Sequence, residues 1–174
     1  IDEHRITFKP TLWTKKTPKI GDTYPARTLE QVEQRWFVGS HANVGGGYRN
    51  DNLPQAPLDW IIKKAIVHGL RFNNLVLADN AHMGKITDSY KRFLKGLPAK
   101  FKKRFHREIG RLPQETVTEV ITTINETIDA SVFQRWKADS KYRPPALVSW
   151  AKRHAVNIET LETSVLASDP NKKV

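Results

Sequence analysis

Val32-Glu33-Gln34-Arg35-Trp36-Phe37-Val38, followed by Gly39-Ser40-His41-Ala42-Asn43-Val44-Gly45-Gly46-Gly47-Tyr48, is the stretch that places the rest of the chain. The run Val32 to Val38 is short, rich in aromatic and β-branched residues and closed by Gly39, which predicts a buried strand over 32–38. It delivers one histidine, His41, into a glycine-rich turn. A strand end fixes the backbone while a turn lets the imidazole face a nucleophile, which is how a hydrolase presents its general base. Spacing alone fits an ordinary loop histidine equally well. Asn43 and Tyr48 can orient the turn by hydrogen bonds or simply lie on the surface. Gly45-Gly46-Gly47 either bring the loop close to a reacting centre or only turn the chain off the strand. A phosphate loop is disfavoured, because the Lys-Ser/Thr ending is missing and no helix follows at once. Ser40 is a poor nucleophile, since neighbours at a strand end point apart. No Gly-x-Ser-x-Gly occurs in the 174 residues, so the stretch offers a base without a visible nucleophile elbow.

Upstream, Pro10, Pro18, Gly21 and Pro25 break any periodicity, and residues 1–31 read as irregular. Downstream, the loop 39–57 ends at Pro54 and Pro57, with Pro57 suited to a first helical position. Leu58, Ile61, Ile62, Ala65 and Ile66 predict an amphipathic helix from Leu58 to His68, capped by Gly69, packing on a sheet and showing Lys63 and Lys64 to water. Asp88–Lys95 reads as a short helix, and Thr116–Ile124 as strand or helix. Ser131–Ala138 reads as a helix capped by Asp129 or Ser131. Arg143-Pro144-Pro145 is an extended break before a last helix, Ala146–His154. The fold class expected is α/β, helix-rich with few strands: residues 1–167 form one portion of a domain, and 168–174 a flexible tail. One strong strand is too few for a complete sheet, so further strands are expected upstream of Ile1.

The length suits a sizeable core, and 39% hydrophobic residues with five tryptophans argue for a folded chain. No apolar run reaches the roughly 18–20 residues that span a bilayer, and the charged start Ile1-Asp2-Glu3-His4-Arg5 is unlike a signal peptide. The expectation is a soluble chain made in the cytoplasm. The absence of cysteine excludes disulfides, thiol catalysis and thiolate metal sites. His4, His68, His82, His106 and His154 show no paired ligand spacing, so no metal site and no cofactor is expected. Trp36 and Trp60 read as core residues. Asn125-Glu126-Thr127 matches a glycosylation sequon, which carries little weight without a signal peptide.

The net charge of +11 is concentrated in residues 91–111, where Lys91, Arg92, Lys95, Lys100, Lys102, Lys103, Arg104, Arg107 and Arg111 face one acid, Glu108. Phe93, Phe101 and Phe105 interleave at spacings that also fit one helical face. The run fits a solvated basic face, an anionic lipid surface or, less well, nucleic acid.

The chain resembles the C-terminal half of an α/β-hydrolase-like domain family that includes the phospholipase effectors of the bacterial type VI secretion system. The residues that carry the resemblance are Ile1-Asp2-Glu3-His4-Arg5 with Phe8-Lys9-Pro10-Thr11-Leu12-Trp13, the run Gln34 to Tyr48, Leu58-Asp59-Trp60-Ile61, Ile86-Thr87-Asp88-Ser89-Tyr90 and Tyr142-Arg143-Pro144-Pro145. The His-x-Asn/Asp-Val-Gly-Gly-Gly-Tyr element is the specific one, and Asn43 stands where many members carry aspartate. The resemblance implies that His41 is the base of a serine triad whose order is serine, acid, histidine. It also implies that the nucleophile and the acid precede Ile1, so that the chain alone is inactive. By the same resemblance the partners are the N-terminal half of the domain, a phospholipid surface met by Lys100, Lys102, Lys103, Arg104 and Arg107, and an immunity or carrier protein of an exported effector. The rival reading is a non-catalytic basic module that holds nucleic acid or an acidic partner.

Overall fold

A computed structural model of the chain describes residues 1–5, 11–14, 25–73, 76–92, 104–110 and 123–174. Among the described residues four short strands form one mixed sheet in the order β1-β2-β3-β4: Gln34–Trp36, Glu126–Ile128, Val165–Leu166 and Asp169–Lys173. β1 runs parallel to β2, with Trp36 opposite Ile128, and the next two pairings are antiparallel. Between β1 and β2 lie α1 (His41–Gly45), α2 (Gln55–Val67) and α3 (Ser89–Arg92), and between β2 and β3 lie α4 (Ala130–Ala138) and α5 (Pro145–Arg153). Among the described residues no helix is long and apolar enough to cross a membrane.

The core is built by α4 and α5 on the sheet. Phe133 and Trp150 stack with ring centroids 6.3 Å apart, beside Ile128, Val132, Leu147, Val165 and Ala167, all sealed from water. The buried indole of Trp150 donates to the Ala167 carbonyl at 2.8 Å, which ties α5 to the β3–β4 turn. Local chemistry sets the helix ends. The Asp129 carboxylate accepts the Ser131 N–H at 3.0 Å, satisfying one of the amides a helix start leaves open. Pro144 and Pro145 pre-set the backbone for the start of α5.

Several expectations change. The strand over 32–38 is paired only from Gln34 to Trp36, although Phe37 and Val38 are buried. α2 begins at Gln55 with Pro54 as its cap, so Pro57 is the third residue of the first turn rather than the first. The helix packs through Pro57 and Trp60, with Ile62 and Ala65 of its aliphatic stripe half-buried; Lys64 reaches Glu33 at 2.8 Å and Trp60 lies 5.7 Å from Phe37. Leu58, Ile61 and Ile66 are exposed among the described residues. Trp36 is buried as expected, with its indole donating to Glu126 at 2.6 Å. Trp60 is only half-buried; its indole donates to Glu33 at 3.2 Å and Arg35 lies over its ring at 5.5 Å. The sequon is structural: Thr127 is buried and donates to Glu33, while Asn125 donates to the carbonyls of Arg27 and Val32. The tail over 168–174 contains β4, whose polar residues and Pro170 are tolerated because it lies at the edge of the sheet. Most of Thr116–Ile124, and Asp88–Lys95 beyond α3, lie outside the described residues.

Candidate functional site

The turn after β1 is held from both sides by buried acids and amides. Gly39 has a φ of +107°, and a Cβ there would stand 2.5 Å from that of Asn43. Two independent barriers, a left-handed backbone and a steric overlap, therefore require glycine. Gly39→Ala is expected to lower stability by about 2 kcal/mol or more, measured by urea unfolding. A midpoint unchanged from the parent would show that the turn has room to rearrange.

Ser40 caps α1, and His41 is its first residue, so the histidine opens a short helix rather than lying in an irregular loop. The His41 side chain is exposed, while Ser40 and Asn43 on either side of it are buried. Asn43 is the hub of the turn. Its Oδ1 accepts the Ser40 N–H at 3.0 Å, the Ser40 hydroxyl at 2.8 Å and the Thr87 N–H at 3.2 Å. Its Nδ2 donates to Asp51 at 2.8 Å and to the Lys85 carbonyl at 3.2 Å. Asn43 is therefore a buried hydrogen-bonding position of the turn rather than a surface one. Gly46 and Gly47 have φ of +82° and +121°, yet Cβ atoms there would meet at most the Ala42 methyl at 3.9 Å. These glycines serve backbone conformation, not a close approach within the described residues. Tyr48 is half-buried near Arg5, whose guanidinium it influences electrostatically.

Residues 1–5 clasp the other side of the turn. The Ile1 nitrogen donates to the Phe37 and Gly39 carbonyls at 2.9 and 3.2 Å. Asp2 accepts the Gly39 N–H at 2.7 Å and the Tyr142 hydroxyl at 3.2 Å. Burial, then the Asp2 charge, pushes the Tyr142 phenol well above its usual range. Glu3 is fully buried, and accepts the His41 N–H at 3.1 Å, the Ser89 hydroxyl at 3.0 Å and the Arg5 guanidinium through two bonds of 2.9 Å. Four of the sequence segments quoted above, around residues 1–5, 39–48, 86–90 and 142, therefore meet at one turn. Glu3, Asp51, Thr87 and Ser89 were not candidates from sequence, because their partners are remote in the chain. The one available signal, for Glu3, Thr87 and Ser89, was their place in the segments that carry the resemblance; Asp51 lies in none of them.

Burial pushes the Glu3 carboxyl up, but the bonds from Arg5, His41 and Ser89 outweigh it and hold the group at about 2, below its ordinary 4.5. A depressed folded pKa contributes stability that is complete above the unfolded value and lost as pH falls through the folded one. About 3 kcal/mol should disappear between pH 4.5 and about 2. Urea midpoints across that window should fall steeply for the parent and less steeply for Glu3→Gln; parallel curves would contradict the assignment.

Of the residues expected at a lipid surface, Lys100, Lys102 and Lys103 lie outside the described residues. Arg104 is exposed and pairs with Asp88 at 2.7 Å. Arg107 is half-buried and feels both Glu3 and Arg5, with burial lowering its pKa. The backbone around Phe105 bonds to His4 at 3.2 Å, so this basic segment runs beside residues 1–5. Among the described residues no group of three or more His, Asp or Glu side chains could hold a metal.

Comparison with known proteins falls on this same part of the chain. Residues 1–64 match the family model described as the T6SS phospholipase effector Tle1-like catalytic domain. The matched stretch spans residues 1–5, β1, the His41 turn and most of α2. An uncharacterized protein of Saccharomyces cerevisiae is 38% identical over 53 residues, which are 28% of this chain and 8% of that protein. The chain therefore matches less than a tenth of the length of this curated relative. No solved structure matches the chain.

Proposed function

We propose that the chain is part of a lipase or phospholipase-type serine ester hydrolase in which His41 is the general base. The observation that carries the reading is a coincidence of two kinds of evidence. The family match over residues 1–64 includes a turn whose backbone is pinned by buried side chains while its histidine faces outward. A base needs that combination of a fixed backbone and an accessible imidazole. The nucleophilic serine and the triad acid are assigned to sequence upstream of residues 1–174, which contain no Gly-x-Ser-x-Gly. His41 takes the serine proton as the hydroxyl oxygen attacks the ester carbonyl, then returns it to the departing alcohol; water repeats the cycle on the acyl-enzyme. The parallel pair β1–β2, with the histidine just past β1, is compatible with the C-terminal part of an α/β-hydrolase-like sheet.

The basic residues Lys100, Lys102, Lys103, Arg104 and Arg107 are assigned to the phospholipid surface, and an immunity or carrier protein to an exported effector. The test is to incubate the natural polypeptide containing these residues with phosphatidylglycerol vesicles and follow fatty-acid release by mass spectrometry. Turnover that is blocked by a serine-directed fluorophosphonate is expected. Salt-sensitive binding to duplex DNA with no lipid turnover would overturn the reading in favour of a basic binding module.

A further inference from the structure

We infer that Glu3 is the positioning residue of this site: its carboxylate holds the backbone from which His41 projects. The inference rests on the hydrolase reading for what His41 does, but the hold itself is separate from it. The His41 N–H opens α1 and has no carbonyl within the helix to bond, so the 3.1 Å contact to Glu3 Oε2 is what satisfies it. Glu3 cannot swing away, because its own side chain is sealed from water and gripped by Arg5 of its own segment and by Ser89 of a remote one. Arg5 donates its Nε to Oε1 and its NH2 to Oε2, and the Arg5 backbone N–H reaches Oε1 at 3.0 Å. Ser89 shares its hydroxyl between both oxygens at 3.0 Å, from a position 86 residues away.

A residue with mere packing duties would not need this arrangement. Burying a carboxylate carries a desolvation penalty that an apolar side chain of similar size avoids. Here every acceptor position of the carboxylate faces a donor. Glutamine has the same shape but one acceptor oxygen. Its NH2 would confront the Arg5 guanidinium in either orientation and, placed at Oε2, the His41 N–H as well, so the fork is lost and the His41 bond keeps at best a neutral, loosely anchored acceptor. Asp2 fixes the neighbouring Gly39 N–H at 2.7 Å, so two successive acids brace the same turn from one side. Displacements of about half an ångström at a catalytic group are enough to lower its efficiency.

The test compares the natural polypeptide with its Glu3→Gln and Ser89→Ala variants. For Glu3→Gln, kcat on phospholipid should fall about 30-fold with KM unchanged, and hydrogen exchange at the His41 amide should accelerate about tenfold or more. The amides of Phe133 and Leu147 in the core should keep their protection. Ser89→Ala keeps the charge and loosens only the grip on Glu3, so it serves if Glu3→Gln does not fold; about threefold effects on both readouts are expected. A kcat within twofold of the parent in both variants would overturn the positioning role, and unchanged exchange at His41 would overturn the hold. If the natural polypeptide hydrolyses no lipid, the hydrolase reading fails alone, and the exchange readout still decides whether Glu3 holds His41.

Discussion

His41→Ala in the intact polypeptide is expected to reduce kcat/KM for ester hydrolysis by roughly 10⁴-fold or more, about 5 kcal/mol of transition-state stabilisation. The loss belongs almost wholly to kcat, because a base acts only while the serine proton is in flight. The same substitution should leave the fold nearly untouched. The His41 side chain is exposed, and the contacts that build the turn are made by its backbone N–H and by Asn43, Ser40 and Gly39. Thermal melts of parent and variant should therefore coincide within a degree or two while activity collapses, a separation that a structural histidine could not produce. Stopped assays on phospholipid vesicles, with melts on the same preparations, give both numbers. Activity within tenfold of the parent would remove His41 from the chemistry and with it the serine-hydrolase reading.

What was legible in the sequence follows from which signals are local. α4 and α5 agree with the sequence to within about a residue because a capping aspartate, Asp129, and a proline pair, Pro144-Pro145, mark their starts. The turn that holds His41 and Asn43 was legible because a strand, a glycine and a histidine stand next to one another. β2, β3 and β4 were not, for physical reasons. Glu126–Ile128 and Val165–Leu166 are too short to show a period, and Asp169–Lys173 is polar with an internal proline, tolerable only at an edge. The helix read as 58–68 starts three residues earlier, at Gln55, and of its aliphatic stripe only Ile62 and Ala65 are half-buried. Its contacts are decided by a buried acid, Glu33, that draws Lys64 and the Trp60 indole inward and leaves Leu58, Ile61 and Ile66 outside. The Glu3 network is the extreme case, since no local pattern tells that a glutamate will meet an amide 38 residues away.

Asn43→Asp is the second large effect, and it tests whether the turn is built for an amide in this chain. The orientation of Asn43 is fixed by its neighbours: two backbone N–H groups, from Ser40 and Thr87, point at Oδ1, while the Lys85 carbonyl can only accept from Nδ2. An aspartate would keep the first side and spoil the second. One of its oxygens would stand about where Nδ2 now lies, 2.8 Å from the Asp51 carboxylate and 3.2 Å from the Lys85 carbonyl, at a fully buried position. Asp51 cannot easily retreat, because its other oxygen accepts the Leu53 N–H at 3.0 Å. Two carboxylates so close will not both ionise, and the variant should lose about 4 kcal/mol at pH 7. The sign with pH follows from the pair. Burial and like charge raise the folded pKa of the new carboxyl above its unfolded value of about 3.9. The penalty is then complete well above the folded pKa and fades as pH falls towards about 4. Adding Asp51→Asn should restore most of the stability at neutral pH, because an amide at 51 can donate to the new carboxylate; the double-mutant cycle should show a coupling of about 3 kcal/mol. Melts of the four proteins from pH 4 to pH 8 decide the matter. A single variant as stable as the parent at pH 7.5, or a double variant no better than the single one, would mean that Asn43 and Asp51 do not meet as described.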